Sequence, residues 1–384
     1  MKISIIVGGR FHAFNLAEYL DRNNYLKQLI TTYPKFYINK KFNINKKLIK
    51  SFFLKELLQR SLLNKIFNID DYLNKYFEHK AQSNIEFKDL DILIGWSSYS
   101  YSSFLKAKNE KCISILERGS THIEYQNDIL KKEYELLNLK PKLISKYIID
   151  KEKKEYDLAD YIMVPTEYAK KTFLEKGFNN KKIIKNYYGV DLEQFKYERE
   201  YKDQNLKFRV IYTGTISVRK GVIYLLDAFN ELDLKNSELI LIGDIDDDIN
   251  SKLAKFKKNK KIVFKKSMEQ SELKKFYNIS NVFVLNSIED GFGMVILQAM
   301  ACGLPVITTY NTGGSEIIED EKDGYIIPIR SKEILKKKLL FLYNNPKHCF
   351  EMGMIAKNKV TSKYSWESYG KRQIDIYLSL LEDN

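Results

Sequence analysis

Two successive series of short apolar runs, each run parted from the next by a helical pattern, constrain the fold of this chain most. In the first series Lys2 to Val7, Asp91 to Ile94, Cys112 to Leu116, Tyr161 to Val164 and Ile183 to Tyr187 read as strands. Helical patterns fall at about Phe11 to Asp21, Glu124 to Asn138 and Glu167 to Lys176. In the second series the strands are Phe208 to Tyr212, Leu239 to Ile242, Val282 to Leu285 and Val306 to Thr309. Val222, Leu225, Leu226 and Phe229 mark one helix face there, Met294 to Ala301 is another helix, and the tail from Ser331 is helical. Strands alternating with helices predict parallel sheets covered by helices on both faces. Between the two series lies K-Y-E-R-E-Y-K-D-Q-N, Lys196 to Asn205, with six charges in ten residues and no apolar period, which reads as an interdomain linker. The expected class is therefore α/β, with two Rossmann-like domains at 1–195 and 206–360 and a C-terminal helix at 361–384.

The 384 residues exceed one ordinary core, and 44% hydrophobic with 13% aromatic residues suffices for two. Only 17 Gly and 6 Pro argue against long disordered stretches. Cys112, Cys302 and Cys349 are odd in number and far apart, so neither a disulfide framework nor a cysteine metal site is indicated. A reducing cytoplasm fits. The apolar start, Met1 to Val7, is too short for a secretory segment, and no run reaches the ~18 apolar residues of a membrane span. The expected location is cytoplasmic, soluble or peripheral on the inner face of the cell membrane.

The net charge of +14 calls for a partner argument. From Lys35 to Lys65 there are nine Lys or Arg against one acid, Glu56, interleaved with Phe36, Tyr37, Phe42, Phe52 and Phe53. A solvated helical face and an anionic membrane surface are both open as explanations, each basic residue contributing ~1 kcal/mol near such a surface. Nucleic acid attracts the same charges but is the less favoured partner.

The densest chemistry lies in Ser287 to Gly314, S-I-E-D-G-F-G-M-V-I-L-Q-A-M-A-C-G-L-P-V-I-T-T-Y-N-T-G-G. The loop Glu289-Asp290-Gly291-Phe292-Gly293 leaves a strand and opens a helix, the place where doubly wound folds hold anionic or hydroxylated ligands. Asp290 in the loop and Gln298 in the helix face one crevice only if Gly291 and Gly293 turn the backbone tightly. A second strand–turn–helix start is Tyr212-Thr213-Gly214-Thr215-Ile216-Ser217-Val218-Arg219-Lys220-Gly221, where Arg219 and Lys220 offer side-chain charge beside a helix N-terminus, as a departing diphosphate requires. Adjacent basic residues also simply cap helix starts.

The first of these segments resembles the signature of the retaining glycosyltransferases of family 4: an acidic residue, F-G, a second acid eight positions after the first, then A-M-A-x-G-x-P-V-I. Asp290 stands at the first acidic position, Glu289 is beside it, and Gln298 replaces the second acid, keeping an acceptor oxygen without the charge. The second segment is similar to the family's G-R-x-x-x-x-K-G: Gly214, Lys220 and Gly221 match, and Thr215 stands where Arg is common. Tyr188-Gly189-Val190-Asp191 with Phe195 resembles N-G-V-D-x-x-x-F before the hinge. The resemblance covers nearly the whole chain. It implies the GT-B fold, two Rossmann-like domains facing across a cleft with the last helix crossing back to the first domain.

It also implies roles. Arg219 and Lys220 would neutralise the diphosphate, Asp290 with Glu289 near would orient the donor sugar, and Gln298 would hold the ribose. Gly8-Gly9-Arg10-Phe11-His12 is either a tight turn or a loop touching acceptor and donor phosphates, with Arg10 or His12 contributing; it is not G-x-G-x-x-G, because Ala13 occupies the third glycine position. His122, in Glu117-Arg118-Gly119-Ser120-Thr121-His122, resembles the family's cleft histidine near the transferred sugar. Glu316, in Asn311-Thr312-Gly313-Gly314-Ser315-Glu316, is either a donor contact or a loop anchor. No metal or other cofactor is expected. The implied activity is transfer of a hexose-type sugar from a nucleotide-diphosphate sugar to a glycan or lipid-linked acceptor. The rivals are an epimerase of the same fold, a non-catalytic nucleotide-sugar binder and a basic nucleic-acid binder.

Overall fold

The computed structural model describes residues 1–9, 11–59, 61, 69–198 and 207–382. Their strands form two all-parallel sheets. The first holds β1 (Ile3–Val7), β2 (Leu26–Thr31), β3 (Ile49–Ser51), β4 (Ile92–Trp96), β5 (Ile113–Glu117), β6 (Tyr161–Val164) and β7 (Ile183–Lys185), in the order β3-β2-β1-β4-β5-β6-β7. The second holds β8 (Phe208–Thr213), β9 (Ser237–Ile242), β10 (Ile262–Lys265), β11 (Val282–Leu285), β12 (Val306–Thr309) and β13 (Gly324–Ile327), in the order β10-β9-β8-β11-β12-β13. Central strands such as β1, β4 and β11 are buried along their whole length, which is why they read as unbroken apolar runs rather than alternations.

Strand order reverses between β1 and β4 in one sheet and between β8 and β11 in the other. At such a switch point the loops leaving the carboxyl ends diverge and open a crevice. Both crevices here face each other, so the topology places the site before any side chain is considered. The arrangement is the GT-B fold.

Four strands escape the apolar-run criterion. β2 carries Lys27 and Gln28, and the buried Gln28 amide is satisfied by the Glu86 carboxylate at 2.9 Å. β3 is a three-residue edge strand inside the basic segment, β10 abuts a lysine cluster, and β13 begins with a glycine.

The C-terminal helix Trp366–Glu382 returns to the first domain. Gly370 lies so close to Tyr19, on the helix Ala13–Arg22, that an added Cβ would sit 2.3 Å from the ring. Arg372 stacks 3.6 Å from the Tyr187 ring centroid and donates to Asn186 Oδ1 at 3.0 Å and to the Tyr187 carbonyl at 2.9 Å. The crossing passes the Tyr188–Asp191 turn, where the Val190 N–H bonds the Tyr364 carbonyl at 2.8 Å and Gly189 leaves no room for a side chain against the backbone of Ser365.

The segment from Lys35 is not one basic face. It breaks into the helix Lys35–Lys41, a 3₁₀ turn Lys46–Leu48, β3 and the helix Leu54–Gln59; residues 60 and 62–65 lie outside the described residues. Phe42, Phe52 and Tyr37 pack onto Phe14, Phe77 and Tyr33. Lys55 is buried against the Tyr99 ring and the Gly8 carbonyl, Lys50 pairs with Glu86, and Lys41 reaches Glu269 of the second domain. Lys35, Lys40, Lys46, Lys47, Phe36 and Phe53 stay exposed, Phe36 by 78%.

Candidate active site between the two sheets

A cavity of about 580 Å³ lies between the switch points, walled by Trp96, Ser97, Ser98, Arg118 and Ser120 on one side and Gly214, Arg219, Lys220, Asp290 and Gly293 on the other. Phe11 and Met294 separate it from a second lobe of about 550 Å³, which Gln298, Glu269, Asp191 and Trp366 help to line. The two lobes form one cleft long enough for an extended ligand.

The donor-side wall follows from local backbone needs. Gly221 precedes the helix Val222–Leu232 at φ 62°, and a Cβ there would meet the Asn286 carbonyl at 2.2 Å, so Arg219 and Lys220 are delivered to the β8 exit by a turn that glycine permits. Gly293 at φ 76° does the same for the turn before the helix Val295–Ala301. Since β8 and β11 are neighbours, the two loops meet: Lys220 bonds Asp290, and Arg219 Nη1 bonds Glu289 Oε2 at 3.2 Å.

The charges of these four groups act on one another. Burial raises the Asp290 carboxyl pKa, but the charges of Lys220 and Arg219 outweigh it and hold the group below its ordinary value. Burial likewise works against the Glu289 carboxylate, and Arg219 with the Ser120 hydroxyl prevails. Lys220 runs the other way: burial and the neighbouring Arg219 depress its ammonium pKa despite Asp290. A buried cation so placed gains from any further negative charge, and a diphosphate supplies it.

The first-domain wall is built on buried charge. Arg118 bonds Glu152 Oε2 at 3.1 Å, the Thr121 carbonyl at 3.0 Å and Gln126 Oε1 at 3.0 Å. Ser98, at φ 75°, is held in the left-handed region by its N–H on Glu155 and its hydroxyl on Glu152, both at 2.6 Å. Hydroxyl and guanidinium groups thus face the cavity on a rigid base suited to a polyhydroxylated ligand. His12 also lines this lobe; it packs 4.1 Å from the Tyr188 ring centroid, with Nε2 3.4 Å from Glu117.

The sequence expectations divide. Arg219, Lys220, Asp290, Gly214, Phe292, Gly293 and His12 line the main lobe, and Gln298 lines the second lobe, its Oε1 taking the Tyr277 hydroxyl at 3.3 Å. Arg10 lies outside the described residues. Gly8 and Gly9 do not line the cavity; Gly8 is pressed on Tyr99, and the loop offers Phe11 and His12 instead. Gly291 meets the first domain rather than a ligand, because a Cβ there would stand 2.0 Å from the Gly119 carbonyl.

Two further expectations are corrected by the geometry, and the alternative left open at Glu316 is decided. His122 is not in the cleft: it caps the helix Ile123–Leu136, its Nδ1 accepting the Glu124 N–H at 3.2 Å, and its ring packs among Tyr156, Phe173 and Phe178. Glu289 is fully buried and turned toward the first domain, not toward a donor sugar. Glu316 is the loop anchor, binding Lys185 at 2.8 Å and the Glu167 N–H. Gln126 and Glu152 escaped sequence reading because the helices Ile123–Leu136 and Lys146–Leu158 that carry them have a surface-like pattern with no mark of burial, and Arg118 stands in the loop after β5. Among the described residues no group of three or more His, Cys, Asp or Glu is arranged to hold a metal ion.

Residues 193–359 match the family model of the glycosyl transferases group 1. The alpha-monoglucosyldiacylglycerol synthase of Acholeplasma laidlawii is 30% identical over 223 residues, 56% of this chain and 54% of that one. Sucrose-phosphate synthase from Thermosynechococcus elongatus superposes with a TM-score of 0.76 at 17% identity over 100% of both chains. HepE of Anabaena, solved in complex with UDP-glucose, superposes with a TM-score of 0.72 at 14% identity over 99% of this chain and 100% of that one. The chain spans about half the length of several of the curated relatives it matches.

The role of His122 can be checked by pH. Burial pushes its imidazole down to about 4 from 6.5, so the folded protein holds it neutral while the unfolded chain protonates it. Its stabilising contribution is present above pH 6.5 and is lost as pH falls toward 4. The gap between the urea midpoints of wild type and His122→Ala should narrow across that window. A constant gap would contradict the buried, neutral cap.

Proposed function

The chain carries a glycosyl transferases group 1 domain, and we propose that the protein is a retaining hexosyltransferase of family 4 that moves a hexose-type sugar from a nucleotide-diphosphate sugar to a hydroxyl of a glycan or lipid-linked glycan. The observation that carries this reading is the pairing of Arg219 and Lys220 with Glu289 and Asp290 at the cavity wall, where β8 and β11 release their loops. In the proposed reaction Arg219 and Lys220 take the diphosphate as it departs, so that charge developing on the leaving group meets two cations already in place. Lys220 then releases Asp290, whose carboxylate orients hydroxyls of the donor sugar. Gln298 binds the ribose in the second lobe through its amide.

The acceptor approaches along Ser97, Ser98 and Arg118, whose buried carboxylate partners fix their orientation. Attack on the face that the diphosphate leaves gives retention, and the departing phosphate oxygen would take the proton of the incoming hydroxyl. HepE, which shares the fold, was solved in complex with UDP-glucose, and this favours a uridine diphosphate sugar as the donor to try first.

A lipid-linked acceptor is favoured by the name of the Acholeplasma relative and by the surface beside the cleft. Lys40, Lys46 and Lys47 with Phe36 and Phe53 would rest on an anionic membrane from the cytoplasmic side. Among the described residues no helix is long and apolar enough to cross a membrane.

Lys220→Ala should lower turnover of UDP-glucose by about tenfold or more, since a charge-assisted contact of ~1.5–3 kcal/mol is lost. Steady-state rates of UDP release with and without acceptor check this, and unchanged kinetics would remove the lysine from the mechanism. Replacing Lys40, Lys46 and Lys47 by Gln should weaken co-sedimentation with phosphatidylglycerol vesicles while leaving UDP affinity intact. Equal sedimentation of the variant and wild type would dismiss the membrane surface.

A further inference from the structure

Glu289 and Asp290 are neighbours in one loop, yet they face opposite ways. Asp290 turns to Lys220 and the cavity. Glu289 turns out of its own domain, and its carboxylate is 0% exposed. Oε1 accepts the Ser120 hydroxyl at 2.6 Å, the Thr121 hydroxyl at 2.9 Å and the Thr121 N–H at 3.3 Å. Oε2 accepts Gln126 Nε2 at 2.9 Å and Arg219 Nη1 at 3.2 Å. Four of these five donors belong to the first domain, and the fifth is the arginine on the cavity wall.

A carboxylate taken out of water is tolerated only when its lone pairs are filled. Here they are filled only while the domains are together, because opening the cleft would strip away all but Arg219. The surrounding contacts are flush: the Gly291 carbonyl accepts the Thr166 hydroxyl at 2.9 Å, and Gly291 has no space for a Cβ against Gly119. The bonds also form a chain across the cleft, from Glu152 to Arg118, to Gln126, to Glu289, to Arg219. Both bonds that Arg219 makes to Glu289 use Nη1, and no described residue accepts from its Nε or Nη2.

We propose that Glu289 is a positioning residue: it latches the second domain onto the Ser120–Thr121 turn and, in the same act, presents the free edge of Arg219 to the diphosphate. The arginine half of this proposal rests on the donor reading above; the latch half does not. The consequence is an ordered dependence. Arg219 is correctly set only in the closed molecule, and the acceptor-side Arg118 is tied to the same hydrogen-bonded unit through Gln126, so the two walls of the cavity are aligned together.

The test uses the full chain and two variants approached from opposite domains. Glu289→Ala removes the acceptor of all five bonds. Ser120→Ala with Thr121→Val removes two hydroxyl donors on the other domain and leaves Arg219 and its partner untouched. Small-angle scattering without ligand should give wild type the radius of gyration of this closed structure, and both variants a larger one. Calorimetry with UDP should show the dissociation constant of Glu289→Ala raised by about tenfold, with a smaller rise for the double variant.

Scattering curves of both variants identical to wild type would overturn the latch. An enlarged Glu289→Ala that binds UDP as well as wild type does would overturn the positioning of Arg219. Should wild type bind no UDP, the donor reading loses its support, and the scattering still decides the latch. If Glu289→Ala does not fold, the double variant carries the same scattering test.

Discussion

Everything at the centre of this molecule depends on two acids meeting two bases 70 positions away in the chain: Glu289 with Arg219, and Asp290 with Lys220. The meeting is enforced by topology, since β8 and β11 are hydrogen-bonded neighbours whose loops leave at the sheet's switch point. Each pair alone is a partly buried ion pair, which is weak evidence for stability because desolvation offsets much of the attraction. Their arrangement around a polar cavity gives them another meaning. Two cations are held in place, each by a single carboxylate that an incoming anion can displace or share.

The first domain answers with the same device. Arg118, Lys151, Glu78, Glu152 and Glu155 are all buried, and Lys151 pairs with Glu78 at 2.6 Å while Glu152 serves Arg118, Ser98 and Tyr156. Burial and the nearby Glu152 push the Glu155 carboxyl up to about 8, so this cluster is a costly element of the fold. Its return is rigidity: the Ser97–Ser98 turn and Arg118 are fixed from below, so the wall on which an acceptor would rest does not need to reorganise. The second domain grips the helix Ile123–Leu136 at both ends, through Glu289 at its start and through Tyr224 and Arg330 on Glu133 near its end, at 2.7 Å and 2.6 Å.

The fold was legible where burial is uniform. β1, β4, β8, β11 and β12 announce themselves as apolar runs, and the glycines of the 289–293 loop mark the turn between β11 and the following helix. β2 and β13 were hidden because a buried glutamine and a strand-opening glycine break the pattern without breaking the strand. On the donor side the residues stand in two short continuous segments, so the motifs and the family resemblance they carry were enough to locate them. On the acceptor side Gln126 and Glu152 come from two helices that look amphipathic and solvated, and only the tertiary packing turns them inward. His122 misled for the opposite reason: its resemblance to a cleft histidine points to the sugar, whereas its nitrogen caps a helix and its ring fills an aromatic pocket.

The central claim is that Arg219 and Lys220 exist to receive a diphosphate. A crystal structure of the complex with UDP tests it most directly. The account predicts phosphate oxygens within hydrogen-bond distance of both side chains, Lys220 drawn away from Asp290, and the ribose beside Gln298. A nucleotide bound elsewhere, with the Lys220–Asp290 pair intact, would contradict it.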